Sequence, residues 1–576
     1  MARPTNDRII GALLVAMGML GILWVRCLWL QVLGAPRYAA YAREQHAAAQ
    51  SLQARRGGIY DRNGRPLAVS VPSPSVFADA RHVEEKRQVA MQLSKMVGRD
   101  TRFIQTRLEK DKGFVWLARQ LNPDVTPSVL TLRDEGIGIR EEAKRLYPQG
   151  RLAGHLIGFV DIDQRGLEGL ELGLNETLHG QDGSRSTLRD AKGSVLIGPW
   201  TAETEPVAGH DLVLTIDSVV QQAAEEALEW GVKKFHAKGG SVIVMDPHTG
   251  ELLAVANSPS YDPNHPAGSS MEHHRNRAVT DLFEPGSTFK IITAAALLEE
   301  GRITPEEPLF CENGAWPTIA RHVLHDHRPH GTLSFHDVIK FSSNIGTSKA
   351  AQRLSPEELY GHIRAFGIGQ RTGVDLPGEV SGILSEPARW SKLTPFILPI
   401  GQEVACTPMQ MAVMTSVIAN GGWRVQPYLL DRVRAADGRL IRKTSTAAAQ
   451  RIIRPDTAAA VQSMLVDVVQ SGTGQLANVQ GLTVAGKTGT AQKLEPTGRY
   501  SHSRFVASFV GYGPVPDVRF VIVVSVDEPR PLYFGGVVSA PIFKRIVEQL
   551  ASYWGIERQA PGDVAQLPDS GRGVTQ

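Results

Sequence analysis

The stretch Pro-Gly-Ser-Thr-Phe-Lys at residues 285–290 leads into the apolar run Ile-Ile-Thr-Ala-Ala-Ala-Leu-Leu at residues 291–298, and Gly301 follows. Proline and glycine interrupt the chain before Ser287, whereas an Ala/Leu-rich run that ends near a glycine predicts a helix. Ser287 therefore falls at the helix N-terminus, and Lys290 lies one turn later on the same face. Because the helix is apolar nearly all round, we expect it to lie in the core of its domain.

A lysine on a core helix must lose its charge or find partners, because burial disfavours the ammonium form. A buried lysine with a lowered pKa can take the proton of a serine hydroxyl, and the N–H groups at the helix N-terminus can stabilise an oxyanion. Ser287 and Lys290 thus predict a nucleophile and its base. The Ser-x-x-Lys spacing alone is weak, since an exposed serine cap beside a solvated lysine has the same pattern.

Two later segments turn this weak signal into a strong one. Ser-Ser-Asn stands at residues 342–344 after a helical stretch, and Lys-Thr-Gly-Thr stands at residues 487–490 where a strand-like run meets a glycine turn. The three motif types, in this order, form a set that is shared by one group of serine acyl-transfer enzymes.

With these motifs the chain resembles the penicillin-binding proteins, bacterial D,D-transpeptidases that cross-link peptidoglycan. The resemblance covers nearly the whole chain, because residues 56–64 are similar to the segment that opens the non-catalytic domain of class B members, and residues 158–160 and 166–171 match another of their stretches. The Glu-Asp-x-x-Phe-x-x-His signature of the class A glycosyltransferase domain does not occur in residues 34–206. Class B is therefore the better match. Ser-Ser-Asn is typical of division-type members, whereas elongation-type members often have Ser-x-Asp.

The resemblance implies catalytic roles for the first two motifs. Ser287 attacks the penultimate D-Ala carbonyl of a stem pentapeptide, and Lys290 accepts its proton. The backbone N–H groups of Ser287 and Thr490 form the oxyanion hole. Ser342 relays a proton to the leaving amine, and Asn344 holds the substrate amide and the lysine. An amine of a neighbouring stem peptide then takes the acyl group, and β-lactams acylate the same serine.

The third motif is implied to bind the substrate and to set the charge of the site. Lys487 adds a positive charge that helps to keep Lys290 neutral and attracts the substrate carboxylate. The hydroxyl groups of Thr488 and Thr490 bind that carboxylate. Gly489 has no side chain, so the acyl chain can lie close to the strand. The resemblance implies no metal and no organic cofactor.

The N-terminus carries an uncharged run of 17 residues from Ile9 to Val25, which continues past Arg26 to Leu33. As a helix, 17 residues rise about 26 Å, close to the lower limit for a membrane span. We interpret the run as a single anchor and not as a cleaved signal peptide, whose apolar core has about 7–15 residues. Arginines on both sides leave the orientation open by charge alone. The resemblance implies the bacterial inner (cytoplasmic) membrane, with the catalytic domain outside the cytoplasm and at the division septum.

Composition is ordinary for a globular protein of several domains. The 576 residues are 42% hydrophobic and 21% charged with a net charge of +3, which excludes a mainly disordered chain, a multi-span membrane protein and a strongly basic nucleic-acid binder. We expect an α+β fold with a single transmembrane helix, an elongated α+β pedestal, and a transpeptidase domain whose antiparallel sheet is flanked by helices as in serine β-lactamases. The expected divisions are a cytoplasmic tail (1–8), the anchor (9–33), a non-catalytic pedestal or dimerisation-like domain (34–206), the transpeptidase domain (207–557) and a disordered tail (558–576).

Local patterns predict the elements around the motifs. Residues 56–70 and 240–256 each predict a strand, a turn and a strand. The polar, Ala/Gln/Arg-rich residues 38–54 predict a helix, and the charged residues 83–145 predict helices broken near Gly98 and Pro123.

Two groups of potential ligands invite other interpretations. The stretch from His322 to His330 holds four histidines, and Cys311 precedes it. Its spacings match no structural zinc template, so we interpret it as a polar loop over the site, with metal binding left open. Cys311 and Cys406 could pair, although two unpaired thiols are the simpler interpretation.

The expected partners are the stem pentapeptide, an acceptor amine, β-lactams, a membrane glycosyltransferase of the shape, elongation, division and sporulation (SEDS) family, and other division proteins; nothing indicates nucleic acid. The alternatives are an elongation- or sporulation-type transpeptidase, a β-lactamase or β-lactam sensor, and a non-catalytic division scaffold. The anchor and the large non-catalytic domain argue against a β-lactamase. The intact Ser287, Lys290, Asn344 and Lys487 argue against a scaffold.

Overall fold

The computed structural model describes residues 5–35, 37–38, 47–110, 112–189, 195–196, 203–318, 322–495 and 499–558. The predicted disordered tail, apart from its first residue, lies outside the described residues. Contacts divide the chain into two compact units, Met1–Arg55 with Gly180–Gly209 and Arg56–His179 with His210–Gln576. The domain limits drawn from the sequence divide the chain differently and stay a prediction.

The first unit begins with an apolar helix, Thr5–Leu28, that continues as a short π-helix, Trp29–Leu33. The segment Asn6–Leu33 has 28 residues and a mean hydropathy of 2.1, and none of its most apolar window is buried against the protein. A fully exposed apolar surface of this size is costly in water. By length and composition this helix can cross a membrane, and it is the one such helix in the described part of the chain.

A small antiparallel sheet follows in the same unit. The strand Ala47–Leu52 pairs with Gly183–Arg189, which also pairs with Val195–Leu196 and Glu203–Thr204. The helix predicted over residues 38–54 is therefore wrong from Ala47 to Leu52. Helix propensity differs by less than about 1 kcal/mol per residue, so pairing with a distant strand can outweigh it.

The second unit contains a sheet of seven strands that joins segments far apart in sequence. Its strands, in spatial order, are Leu440–Lys443, Leu430–Arg434, Asp211–Leu214, Ile59–Tyr60, Pro66–Ala78 and Val115–Ala118, with Ile137–Leu146 also paired to Pro66–Ala78. The strand, turn and strand predicted over residues 56–70 are confirmed. Asp61 Oδ1 accepts the N–H groups of Asn63 and Arg65 inside the turn, at 2.9 and 2.8 Å.

The charged residues 83–145 are only partly helical. The helices Lys86–Val97, Thr101–Leu108 and Val125–Leu130 confirm the first part of the prediction. The prediction is wrong for Val115–Ala118 and for Ile137–Leu146, which are both strands paired with Pro66–Ala78. Most of the charged side chains of Ile137–Leu146 are at least partly exposed, and buried and exposed residues do not alternate along it. The usual sequence signal of a strand is therefore missing from this segment.

A buried ion cluster, which we call the arginine cluster, connects this sheet to the helix Gly169–Gly173. Arg56 and Arg145 are 1% and 6% exposed. Each donates its Nε–H to a different oxygen of Glu171, both at 2.7 Å. Arg56 also donates to the Gln164 carbonyl at 3.0 Å. One buried carboxylate therefore balances two buried guanidinium groups.

The site is carried by a five-stranded antiparallel sheet in the order β2-β1-β5-β4-β3. Its strands are β1 (Gly239–Met245), β2 (Leu252–Ser258), β3 (Ala485–Leu494), β4 (Tyr500–Gly513) and β5 (Phe520–Asp527). The hairpin predicted over residues 240–256 is β1 and β2. The main helices of this unit are α1 (Ser218–Lys234), α2 (Lys290–Glu299), α3 (Asn344–Ala351), α4 (Pro408–Ala419), α5 (Pro455–Gln470) and α6 (Gly535–Tyr553).

Apolar side chains from both faces of this sheet are buried against the helices. One cluster contains α2, α4 and α5, and the other contains α1 and α6. The sequence of α2 is apolar on all faces, as expected for a helix buried at the centre of a layered domain. The predicted antiparallel sheet flanked by helices is confirmed.

Shorter elements complete the second unit. The remaining helices of four or more residues are Gly154–Ile157, Asn175–His179, Met271–His274, Arg277–Thr280, Phe335–Lys340, Pro356–Ala365 and Thr394–Ile397. Four two-stranded sheets pair Pro308–Phe310 with Thr332–Ser334, Ala315–Pro317 with Val323–His325, Ile383–Leu384 with Val404–Ala405, and Trp423–Arg424 with Gln450–Arg451.

Candidate active site

Ser287 lies on a tight turn that precedes α2. A 3₁₀ turn covers Gly286–Phe289, and the α-helix begins at Lys290. Three residues per turn align the side chains of residues i and i+3, so Ser287 and Lys290 lie on one face as predicted. Gly286 has φ +54° and donates its N–H to the Gly401 carbonyl at 3.1 Å. Ser287 is half-buried, and its Oγ makes no hydrogen bond within the described part of the chain.

Lys290 is completely buried, as the sequence predicts. Its Nζ donates to the Ser342 carbonyl at 2.6 Å and to Asn344 Oδ1 at 2.8 Å. Burial lowers the pKa of the amine to about 7, against a smaller opposing effect of Asp326 and Cys311. A neutral amine has two N–H groups and one lone pair. The two close acceptors take both N–H groups, so the lone pair remains available for a proton.

Lys487 reaches the same pocket from β3 and is also completely buried. Its Nζ donates to Ser342 Oγ at 2.8 Å, and Lys290 Nζ lies 3.3 Å from the same hydroxyl oxygen. Burial lowers the pKa of Lys487 well below its usual value, and the neighbouring Lys290 lowers it further. The two amines therefore titrate as a coupled pair that does not readily hold two protons.

The Ser-Ser-Asn motif forms the turn into α3. Ser342 has φ +63°, in the left-handed region that non-glycine residues rarely adopt. Ser343 is the N-cap of α3, and its Oγ accepts the Gly346 N–H at 2.9 Å. Asn344 begins the helix and donates its side-chain N–H to the His325 carbonyl at 2.9 Å. Ser287, Lys290, Ser342, Asn344 and Lys487 thus come from three separate segments, and the last four share one hydrogen-bonded pocket.

The third motif lies along β3. Successive side chains alternate between the faces of a strand. Lys487 and Gly489 face one side, and Thr488 and Thr490 face the other. Thr488 Oγ1 lies 2.8 Å from Thr473 Oγ1, and Thr490 Oγ1 accepts the Gly535 N–H at 3.0 Å. Because β3 is at the edge of the sheet, the N–H and C=O groups of its outer edge can pair with an extended peptide.

Gly489 is required by contacts within the protein. A Cβ at this position would lie 2.3 Å from Ser508 Oγ and 2.9 Å from the Pro285 carbonyl oxygen. The sequence-based reason was room for the substrate. The structure adds a second reason, since the missing side chain lets the turn that carries Ser287 pack directly on β3, and room for the substrate stays a prediction.

The histidine-containing loop supplies a residue that the sequence interpretation missed. Asp326 accepts hydrogen bonds from Ser343 Oγ and from the N–H groups of Asn344 and Ile345, at 2.6, 2.5 and 3.0 Å. Among the described residues, no group of three His, Cys, Asp or Glu side chains could hold a metal ion. Cys311 and Cys406 are separate buried thiols.

An aromatic cluster at the same end of β3 was also missed. Tyr533 stacks on Phe505 with ring centroids 4.0 Å apart, and it contacts Phe534 at 4.5 Å. His327 lies 4.7 Å from the Phe534 ring. Phe534 precedes Gly535, whose N–H binds Thr490. No sequence pattern predicts this aromatic cluster, because its residues belong to no motif and come together only when the chain folds.

Two sequence profiles of known protein domains match this chain. The sequence profile of the penicillin binding protein transpeptidase domain matches residues 240–548, which is more than half of the chain, and that of the penicillin-binding protein dimerisation domain matches residues 51–214. The chain belongs to the class B penicillin-binding proteins. It is a serine-type transpeptidase of that family, as its three motifs predict.

Among curated relatives of this penicillin-binding protein is the probable peptidoglycan D,D-transpeptidase PenA of Neisseria meningitidis, 36% identical over 89% of this chain and 87% of the relative. The peptidoglycan D,D-transpeptidase FtsI of Escherichia coli is 33% identical over 96% of this chain and 92% of the relative. Stage V sporulation protein D of Bacillus subtilis is 32% identical over 96% of this chain and 86% of the relative.

Solved structures show the same fold. Penicillin binding protein 3 of Mycobacterium tuberculosis, in complex with aztreonam, is 30% identical and has a TM-score of 0.71 over 89% of this chain and 98% of that one. This penicillin-binding protein therefore has the two-domain fold of its family, with a non-catalytic N-terminal domain and a C-terminal transpeptidase domain.

Proposed function

We propose that this class B penicillin-binding protein cross-links stem peptides of septal peptidoglycan through an acyl-enzyme on Ser287. The observation that carries the proposal is the pocket in which the buried amine of Lys290 stands one turn from a free serine hydroxyl. Ser342 and Asn344 accept hydrogen bonds from that amine, and Lys487 donates to the Ser342 hydroxyl.

In the first step Ser287 Oγ attacks the carbonyl carbon of the penultimate D-Ala. The hydroxyl proton passes to the lone pair of Lys290, and the N–H groups of Ser287 and Thr490 stabilise the oxyanion. Ser342 contacts both lysines and passes a proton to the amine of the terminal D-Ala. The peptide C–N bond then breaks, the D-Ala leaves, and the donor peptide stays bound to Ser287 as an ester.

In the second step an amine of a neighbouring stem peptide attacks the ester carbon. The same groups act in reverse, so Ser342 and Lys290 take the proton of the attacking amine and return one to Ser287 Oγ. A new amide bond forms as the ester bond breaks. All of these proton transfers use side chains of the pocket.

Substrate recognition follows from β3. An extended donor peptide adds to the free edge of this strand by backbone hydrogen bonds. The Thr488 and Thr490 hydroxyl groups bind the terminal carboxylate, and Lys487 adds its positive charge to their attraction. A β-lactam presents a strained amide and a carboxylate in the same arrangement, so it also acylates Ser287.

The septal role rests on the Ser-Ser-Asn motif and on the relative named FtsI. The sporulation protein is nearly as similar, so a sporulation-type or elongation-type role is the alternative. The apolar helix Asn6–Leu33 anchors the protein in the cytoplasmic membrane with its catalytic domain outside the cytoplasm. A SEDS-family glycosyltransferase and other division proteins are the partners we expect there.

The test combines chemistry and location. Mass spectrometry after penicillin treatment should find the drug's mass on the peptide that contains Ser287, and Ser287→Ala should carry none. Purified protein should join a D-Ala-D-Ala peptide to an added amine, with release of D-Ala. Fast turnover of penicillin without a stable adduct would instead support a β-lactamase, and labelling spread along the side wall would contradict the septal role.

A further inference from the structure

Asp326 holds the start of α3 from a loop that lies outside the three motifs. The strand Val323–His325 pairs with Ala315–Pro317, and the Asp326 N–H donates to the Gly314 carbonyl at 3.1 Å. This pairing fixes the loop, so that the half-buried carboxylate faces the first turn of the helix. Both of its oxygens accept hydrogen bonds there, from one side-chain hydroxyl and two backbone N–H groups.

We propose that Asp326 is a positioning residue for acyl transfer, whose carboxylate fixes the turn from Ser342 to Asn344 and offsets the positive charge of the buried lysines. The proposal rests on the proposed function, because it concerns the base of that reaction. It assigns a role to the histidine-containing loop other than metal binding.

The geometric part of the argument concerns the acceptors of Lys290. The three hydrogen-bond partners that Lys290 has among the described residues, the carbonyl and hydroxyl of Ser342 and the amide oxygen of Asn344, belong to one turn. Ser342 has a left-handed backbone, which persists only where the surroundings hold it. The hydrogen bonds to Asp326 from the next two residues and from Ile345 N–H provide that restraint.

The electrostatic part concerns the charges that face the pocket. Lys290 comes from α2, Lys487 from β3, and the Cys311 thiol and Asp326 lie on the side of α3. Burial lowers the pKa of Lys290, and Asp326 is the largest opposing influence, with Cys311 next. Farther out on the same side, Glu312 forms an ion pair with Lys349. His325 and His327, which flank Asp326 in the loop, are exposed.

These two effects make different predictions for a neutral substitution. The loss of a helix cap lowers stability and rate at every pH. The loss of the negative charge lowers the pKa of Lys290 further, so the free amine forms at a lower pH. The rising limb of the pH–rate profile then moves to lower pH, which a purely structural role does not produce.

The experiment measures the rate of acylation by a fluorescent penicillin from pH 5 to 9, with the full chain in detergent. Asp326→Asn should lower the plateau rate about tenfold or more and shift the midpoint down by about 0.5–1 pH unit. Ser343→Ala removes a hydrogen bond without changing charge, so it should lower the plateau and keep the midpoint. Glu312→Gln removes a nearby charge that faces Lys349, and it should change neither the plateau rate nor the midpoint.

An unchanged or raised midpoint in a folded Asp326→Asn protein would overturn the proposal and leave Asp326 as a helix cap. Thermal unfolding checks whether this variant is folded. If it is not, Asp326→Ser, which keeps an acceptor but no charge, must show the same downward shift of the midpoint. Absence of acylation in the wild type would instead refute the proposed function. The two failures are therefore distinguishable.

Discussion

Two buried groups of basic residues in this protein differ in how their charge is balanced. In the arginine cluster, Arg56 and Arg145 each contact Glu171 directly. In the active site, Lys290 and Lys487 are equally buried, but their nearest partners are hydroxyl, carbonyl and amide groups, and Asp326 acts from behind the turn. The guanidinium groups keep their charge and lie against a carboxylate, whereas Lys290 has no direct ion pair within the described residues and burial lowers its pKa. The first arrangement holds the fold together, and the second makes a base.

The largest effect should come from Lys290→Met, which tests whether the buried lysine serves catalysis and not stability. Methionine fills most of the same volume without an amine. We expect the acylation rate to fall by about 10³-fold or more, since a general base contributes about 10²–10⁴ and Ser342 loses a partner. The free energy of unfolding should change by less than about 1.5 kcal/mol, because the substitution replaces a buried amine with an apolar chain of similar size. A variant that unfolds readily would show that this lysine is structural. Penicillin labelling and urea denaturation measure the two quantities.

The next effect concerns the arginine cluster. Glu171→Gln should leave two buried guanidinium groups without a counter-charge and destabilise the protein by about 3–5 kcal/mol. Acylation by the folded fraction should remain close to wild type. Urea denaturation checks the first expectation, and labelling at low denaturant checks the second.

Glu229→Gln is the matched control for this change. Glu229 forms an exposed ion pair with Lys233, 2.8 Å apart on α1, so its loss should cost less than about 1 kcal/mol. Equal destabilisation by the two variants would show that burial of the Glu171 ion pairs adds nothing to their contribution to stability.

A smaller effect should appear at Glu225, a carboxyl group on α1 that has hydrogen bonds but no direct ion pair in the part of the chain that the structure describes. It accepts the Ala153 N–H at 2.9 Å and a side-chain N–H of Gln221 at 2.8 Å. Burial raises its pKa to about 7. Folding therefore favours the protonated form, so the stability that this group contributes is complete below about pH 4.5 and is lost as the pH rises through 7.

Glu225→Gln keeps the acceptor and removes this pH dependence. We expect it to stabilise the protein by about 1–2 kcal/mol at pH 8 and by almost nothing at pH 4.5, because partial exposure reduces the full effect of about 1.36 kcal/mol per pKa unit. Glu226→Gln, the exposed neighbour, should show no such trend. If both variants behave alike in thermal unfolding at the two pH values, burial of Glu225 carries no energetic cost.

Much of the site could be predicted because local sequence determines it. The turn before α2, the spacing of Ser287 and Lys290, and the apolar faces of α2 follow from residues within one or two helical turns. The family resemblance then supplied the expected meeting of three distant motifs, which spacing alone could not show.

The remainder depends on contacts between distant segments. Asp326 stands 17 residues before Ser343, and only pairing of the loop strands directs its carboxylate to α3. The strand Ala47–Leu52 exists because Gly183–Arg189 lies beside it, and the need for Gly489 comes from Ser508 on the adjacent strand. A single sequence contains no direct sign of such pairs.

The pH dependence of Ser287 acylation tests the central claim most directly, using a penicillin without titrating groups between pH 5 and 9. The account predicts a second-order rate that rises with pH through a midpoint near 7, as the amine of Lys290 loses its proton. A rate that stays flat across this range, or that rises only near pH 10, would show that Lys290 keeps the charge of an ordinary lysine and would contradict the account.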